Sequence, residues 1–283
     1  NYIKHYAKKL VNKGSQEELD EANAKDVYEA FSELKGGPLK MAQMLSLGDQ
    51  LLPKAYTAQF AQAQNKVTPL SYPLIRKTFK REVGKDPDEV FEGFTKKAVN
   101  AASIGQVHKG RLNGKDYAIK LQYPGVADSL KSDLNMVAPM AIKMFGLKKS
   151  EVAPYIEEVE SKLMEETNYE QEMRNAYHII DHCDKLKNVV FPDFMPNLSG
   201  KRVITMSWMD GEGLADWIKT DPSQKQRNKI GQALWDFYQH QIHELRFMHA
   251  EPHPGNFIIT PKGKLAVIDF GCIKEIPKDF MIA

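Results

Sequence analysis

His249-Ala250-Glu251-Pro252-His253-Pro254-Gly255-Asn256, followed across a short hairpin pattern by Ile268-Asp269-Phe270-Gly271, is the stretch on which the fold turns. Glu251 and Asn256 stand at positions i and i+5. A carboxylate at the first can orient an acceptor hydroxyl or a water, and an amide oxygen at the second can bind a metal ion. Asp269 adds a second hard oxygen ligand, and Mg²⁺ takes few protein groups and completes its shell with phosphate oxygens. Between the two blocks, Phe257 to Thr260 and Lys264 to Asp269 flank Pro261-Lys262-Gly263, which has the turn chemistry of a hairpin. A surface turn rich in His and Pro beside an accidental Asp-Phe-Gly would explain none of this agreement.

That order of parts is the one protein kinases use, so the expectation is an α+β, bilobal, protein-kinase-like fold that binds a nucleoside triphosphate through divalent metal ions. Upstream, Asn113-Gly114 sits between Val107 to Arg111 and Lys115 to Leu121, a strong two-residue hairpin signal. Strand alternation puts Ala118 and Lys120 on one face, from which Lys120 can point into a cleft over phosphates. The preceding Asn100-Ala101-Ala102-Ser103-Ile104-Gly105-Gln106 is where a nucleotide-covering loop belongs. It has one glycine, and its small residues give the backbone less freedom than glycines would.

Farther out, residues 1–88 read as a helical extension. Gln16 to Leu34 has a helical period, Gly36-Gly37-Pro38 breaks it, and the helix from Pro38 is apolar on most sides. A third helix spans Pro73 to Val83. Residues 89–206 form the expected smaller lobe with inserted helices, among them Asp128 to Phe145 and a long stretch from Glu151 to about Leu186. Residues 207–283 form a partial larger lobe, with a helix from Gln224 to Phe247 ahead of the catalytic loop. His249 and His253 are expected to orient that loop by hydrogen bonds rather than hold a metal, and His240 and His243 to line a partly exposed face.

Composition bounds the partners. Lys and Arg number 39 against 37 Asp and Glu, which gives no case for nucleic acid. Cys183 and Cys272 are far apart, as in a reducing compartment. No segment has the ~18 uninterrupted apolar residues of a membrane span, and Met136 to Leu147, the best candidate, carries Lys143 and reads as a core helix. The chain begins at Asn1 and stops soon after Asp-Phe-Gly, so a fragment with a truncated larger lobe is expected.

Four blocks in order then bring a resemblance to the UbiB family of atypical kinases, linked to ubiquinone biosynthesis. They are Leu39-Lys40-Met41-Ala42-Gln43, similar to that family's Lys-x-Gly-Gln helix; the Ala-rich segment 100–108; Glu165-Glu166-Thr167-Asn168-Tyr169-Glu170-Gln171-Glu172; and the catalytic loop. The resemblance implies that Ala101, Ala102 and Ser103 lie over the nucleotide. It implies that Lys120 contacts phosphates and pairs with Glu172, and that Met206, Ser207, Trp208 and Met209 form the adenine hinge. Asn256 and Asp269 would hold Mg²⁺ beneath ATP or ADP, Glu251 would serve as the catalytic carboxylate, and Lys40 and Gln43 would guard the mouth with Glu166 near Lys40. On an ideal helix Glu166 and Glu172 point about 120° apart and can serve different lysines.

Three positions depart from the family pattern. Glu251 stands for Asp, Ala42 for Gly and Asn168 for Asp. A carboxylate displaced by one methylene can slow transfer, because errors near 1 Å cost ~100-fold in rate. The expected function is an ATPase or small-molecule kinase supporting isoprenoid-quinone lipid metabolism, in cytoplasm or organelle matrix and peripheral to a membrane. Its partners would be a membrane lipid or quinone precursor and quinone-biosynthesis proteins. The alternative is a nucleotide-binding pseudokinase scaffold; an ordinary protein kinase fits least.

Overall fold

The computed structural model of the protein describes residues 70–102, 104–132 and 149–281, with residues 135 and 139 between. The expected helices over residues 16–34 and from Pro38, the segment Met136 to Leu147, and Lys40, Gln43 and Ser103 lie outside the described residues.

The elements run α1 (Tyr72–Val83), α2 (Pro87–Val90), β1 (Gly93–Phe94), β2 (Asn100–Ala102), β3 (Gly105–Leu112), β4 (Lys115–Gln122), α3 (Lys149–Glu166), α4 (Tyr169–Ile180), β5 (Val189–Val190) and β6 (Val203–Ser207). They continue with β7 (Glu212–Gly213), α5 (Leu214–Lys219), α6 (Gln224–His240), β8 (Phe247–His249), β9 (Phe257–Ile259), β10 (Leu265–Val267) and β11 (Ile273–Glu275). Two compact units divide them. Of the described residues, the first takes those up to Ile75 with those within Lys96–Val107 and Leu121–Thr167, and the second takes Arg76–Thr95, His108–Lys120 and those from Asn168 onward.

In the first unit, the Ala-rich segment is a strand rather than an irregular loop. β2 pairs antiparallel with the start of β3, Asn100 opposite Val107 and Ala102 opposite Gly105. A Cβ on Gly105 would run into the Leu121 carbonyl, so the single glycine there serves close backbone packing. Gln106 is buried and accepts from the Leu70 amide at 2.7 Å, and the Gln122 carboxamide donates to the Thr167 carbonyl at 2.9 Å.

The helical stretch expected from Glu151 to Leu186 is two helices. α3 stops at Glu166, and Asn168 opens α4 with its side chain accepting from the Gln171 amide. The single-helix angle between Glu166 and Glu172 therefore does not hold. Asn168 is a helix cap, a place where a short side-chain acceptor satisfies an otherwise orphan amide.

The second unit carries the strand order β1, β3, β4, β6, and a second sheet ordered β5, β10, β9, β7 in which β5 runs parallel to β10. Asn113 and Gly114 both take positive φ (50° and 73°), the backbone a two-residue hairpin turn demands. Phe79, Phe91 and Phe94 pack with ring centroids 5.7 to 6.4 Å apart. Phe191, Phe237 and Phe270 form a second aromatic cluster. α6 ends at His240, short of the expected Phe247, and passes through one wide π-type turn, Gln241–Leu245, before Arg246 adopts φ of 53°. His240 is buried rather than on an exposed face, its ring nitrogens facing the His182 carbonyl (2.7 Å) and Glu244 (3.2 Å).

Gly110 tests the first aromatic cluster. A Cβ there would lie 2.7 Å from Phe91 Cδ1 and 2.9 Å from Ile119 Cδ1. Gly110→Ala is expected to cost about 1–3 kcal/mol through overpacking, seen as a lower midpoint in urea denaturation with no change in slope.

Candidate functional site

The candidate site lies wholly in the second unit and is built around one ammonium group. The last five residues of β4, Ala118 to Gln122, are buried on both faces, so Lys120 cannot reach water from the strand and must be satisfied by protein. Its Nζ lies 3.1 and 3.2 Å from the two Glu172 oxygens and 2.8 Å from Asp269 Oδ2. The Tyr169 ring centroid is 5.1 Å from the same nitrogen, within cation–π range. Burial alone would push Lys120 down, but the charges of Asp269 and Glu172 hold it well above the ordinary lysine range.

α4 supplies the first carboxylate. The Asn168 cap fixes the start of the helix, so Tyr169, Glu172 and Asn175, at i, i+3 and i+6, lie on adjoining turns, and all three are buried. Asn175 Nδ2 donates to the Phe270 carbonyl at 3.3 Å.

Asp269 follows β10 and closes a short turn, its Oδ1 accepting from the Gly271 amide at 3.0 Å. Its side chain is 26% exposed, whereas Lys120 and Glu172 are nearly closed off, so Asp269 is the open corner of the cluster. Asn256 is tied to the same point, because the Ile268 amide donates to the Asn256 carbonyl at 3.1 Å. Asn256 Nδ2 donates to the Glu251 carbonyl at 3.1 Å. A carbonyl only accepts, so the amide orientation is settled and Oδ1 is left for another partner.

Asn256 Oδ1 and the Asp269 carboxylate are hard oxygens on adjacent backbone, a donor set that fits Mg²⁺ shared with phosphates. Among the described residues no group of three His, Cys, Asp or Glu could hold a metal alone. A site of two protein oxygens is consistent with an ion whose remaining ligands come with the nucleotide.

His249 holds the loop of residues 250–256 against this corner. It is buried, with Nε2 at 3.0 Å from the Asp269 carbonyl and Nδ1 at 3.3 Å from the Tyr238 hydroxyl. Nε2 must carry the proton, since its partner is a carbonyl, and Nδ1 accepts from Tyr238. Burial lowers the proton affinity of His249 against the pull of Asp269 and Glu251, and burial keeps Tyr238 protonated. Gln241 adds a third tie, accepting from the His249 amide at 2.7 Å while donating to the Phe237 carbonyl at 3.0 Å. The expectation that His249 orients the loop by hydrogen bonds fits this geometry.

Among the residues expected to form a hinge, the Ser207 amide already donates to the Asp193 carbonyl (2.8 Å) and the Trp208 amide to the Asp116 carbonyl (3.0 Å). An adenine would have to meet other backbone groups there. Met206 is buried, while Ser207, Trp208 and Met209 are half-buried. Ala101, Ala102 and Glu166 belong to the first unit, where Glu166 is buried.

Sequence reasoning did not single out Tyr169, Asn175, Tyr238 or Gln241. For the first two, a signal was present: polar-capable residues three apart along a helix that also carries Glu172.

A family model described as the ABC1 atypical kinase-like domain matches residues 62–282 of the chain. Atypical kinase COQ8B, mitochondrial, from Danio rerio is 31% identical over 272 residues, 93% of this chain and 42% of that protein. Probable serine/threonine-protein kinase abkA from Dictyostelium discoideum is 27% identical over 276 residues, 92% of this chain and 49% of that protein. The chain thus spans less than half the length of these two relatives. The solved complex of Rv3197 with erythromycin from Mycobacterium tuberculosis is similar in structure, with a TM-score of 0.64 at 28% identity over 92% of this chain and 66% of that one.

The pH dependence of stability tests His249. The folded protein holds it neutral, while the unfolded chain protonates it near its ordinary value of about 6.5. Its contribution is therefore complete above about pH 6.5 and is lost as pH falls toward the lowered folded value. The urea midpoint is expected to drop between about pH 7.5 and about pH 5.5, and His249→Gln to make that drop shallower. His108, also held low by burial, retains its own share of the slope.

Proposed function

The chain belongs to the ABC1 atypical kinase-like family, the UbiB family its motifs resemble, and from that premise we propose that it binds ATP or ADP with Mg²⁺ and acts as an ATPase or small-molecule kinase. The observation that carries this reading is the placement of Lys120 between Glu172 and Asp269, with Asn256 bonded to the residue before Asp269.

In this reading Glu172 holds Lys120 in place, and Lys120 presents its ammonium to phosphate oxygens. Asp269 and Asn256 supply the two protein oxygens for the metal. When bound, the metal ion would neutralise charge on the phosphates and draw electrons from the bond to be cleaved. Glu251 accepts the proton of the attacking hydroxyl or water, from a backbone position fixed by Asn256 and by the His253 amide, which donates to the Glu251 carbonyl at 2.7 Å. Its extra methylene relative to Asp displaces the carboxylate from where the family pattern puts it, which favours slow turnover. That same residue supports a second reading, a nucleotide-binding scaffold that transfers little or no phosphate.

On the family likeness we extend the proposal to Ala101, Ala102 and Ser103 over the nucleotide, Met206 to Met209 at adenine, and Lys40, Gln43 and Glu166 as gating residues. The process served is isoprenoid-quinone lipid metabolism, with a lipid or quinone precursor as acceptor at a membrane surface and quinone-biosynthesis proteins as partners. The Danio rerio relative is named as mitochondrial, in keeping with such a setting. Peripheral attachment to the membrane is part of the same proposal on family likeness; among the described residues no helix is long and apolar enough to cross a membrane.

Turnover decides between the readings. Mg²⁺-dependent ADP release is expected from the protein, falling by about 100-fold or more in Asp269→Asn and rising by roughly tenfold in Glu251→Asp. Saturable binding of ADP with no release above the Asp269→Asn background, in either the native protein or Glu251→Asp, would exclude the enzyme and leave the scaffold.

A further inference from the structure

Asn175 is a polar side chain that neither the motifs nor the metal chemistry calls for. It is buried. Its Nδ2 donates to the carbonyl of Phe270, inside Asp-Phe-Gly, and its Oδ1 accepts from Gln171 Nε2 at 2.9 Å. Gln171 is in turn held from outside, its Oε1 receiving Arg174 Nη2 at 2.7 Å and Nε at 3.1 Å. The carboxamide is thus oriented at both ends. Burying an amide is costlier than burying a leucine of similar volume, so helix packing alone gives no reason for it here.

α4 meets Asp-Phe-Gly through two ties of different kinds. One is ionic: Glu172 to Lys120 to Asp269. The other is neutral: Asn175 to the Phe270 carbonyl. The ionic tie depends on the charge of Asp269, and any cation that takes up that carboxylate competes with Lys120 for it. The neutral tie has no such dependence, because an amide–carbonyl bond carries no net charge.

We propose that Asn175 is a positioning residue that keeps Asp-Phe-Gly in register with α4 when the Lys120–Asp269 contact is released. The proposal deepens the reading of Asp269 as a metal ligand and rests on it for its purpose, though not for its geometry. Asn175 touches none of the reacting groups; it acts through the backbone that carries Asp269. The neutral tie lets Asp269 change partners while the chain on either side of it stays put.

Amide hydrogen exchange of residues 269–272 in the nucleotide-free protein is the test. Asn175→Leu is expected to speed exchange there by about three- to tenfold, the worth of one buried hydrogen bond, with the remaining protected peptides unchanged. Asp269→Asn, which removes the charge while leaving the neutral tie, is expected to change exchange little. The double variant is expected to exceed the sum of the two singles. Equal exchange in Asn175→Leu and the native protein, or a uniform rise over the whole chain, would overturn the proposal. Should Asn175→Leu not fold, Gln171→Ala keeps the asparagine but frees its orientation; it should give a smaller rise confined to residues 269–272, and no rise there overturns the proposal equally. Mg²⁺ with ADP, added to the native protein in the same experiment, should leave residues 269–272 protected. If the native protein binds no Mg²⁺–ADP while Asn175→Leu still loosens the segment, the metal reading falls and the neutral tie stands; if it binds and the segment loosens, the neutral tie falls.

Discussion

A lysine ammonium buried on a strand with two carboxylates within 3.2 Å is the constraint on which the second unit is built. Neither acid can be moved without leaving charge stranded in low dielectric, and removing one partner of such a pair typically costs ~3–5 kcal/mol. The Lys120 Nζ therefore ties β4, α4 and the end of β10 to one another, beside the neutral bond from Asn175 to the Phe270 carbonyl. The three side chains are not equally enclosed. Glu172 and Lys120 are sealed, and Asp269 opens outward, so the cluster has one face on which its charge can be shared with something else. A structural ion pair would have no reason for that asymmetry, since full enclosure with complete hydrogen bonding would hold the strand equally well.

Much of this was legible in the residues. Asn113-Gly114 announces its turn because few other pairs tolerate two successive positive φ values, and both angles are found. The spacing of Glu251, Asn256 and Asp269 carries its own geometry, since a five-residue loop and a hairpin leave little choice about what faces what. The links between distant segments were less legible. Lys120 and Glu172 were paired by likeness to a family, because strand alternation says which way a lysine points but not what it meets. Asn175 and Gln241 look like unremarkable helix residues in sequence; their work is to satisfy backbone groups that come near only after folding. The break between α3 and α4 was missed because Thr167-Asn168 lacks the Gly or Pro that usually marks one. The signal was there in another form, an Asn placed to cap the next helix. His240 reads as a surface residue by its position on the helix and is buried, with Nε2 against the His182 carbonyl of a distant segment.

The departures from the family pattern look different in the light of local structure. Asn168 carries no charge where the family pattern has Asp, but as a cap it does the job an Asp would do there, by accepting from the Gln171 amide. That substitution is accommodated. Glu251 is another matter, because its carbonyl accepts from Asn256 Nδ2 and the His253 amide, and the Ala250 amide donates to the Cys272 carbonyl, none of which depends on which acid is present. The backbone keeps its place and only the carboxylate shifts. Any effect is confined to the end of one side chain.

The ladder of β8 with β11, His249 opposite Ile273 and Phe247 opposite Glu275, joins the two ends of the segment 250–272. Glu251, Asn256 and Asp269 all lie inside that segment, which is held at this neck and also by the pairing of β10 with β5 and of β9 with β7. Chain length at its far tip, the exposed Pro261-Lys262 turn, can vary without shifting the three oxygen-bearing side chains, because their positions are set by those strand pairings rather than by the tip. Length changes between the neck and Asn256 have no such shelter, since every residue there is counted against the ladder. Insertions and deletions in natural or engineered forms of this segment should therefore gather at the tip and spare the base.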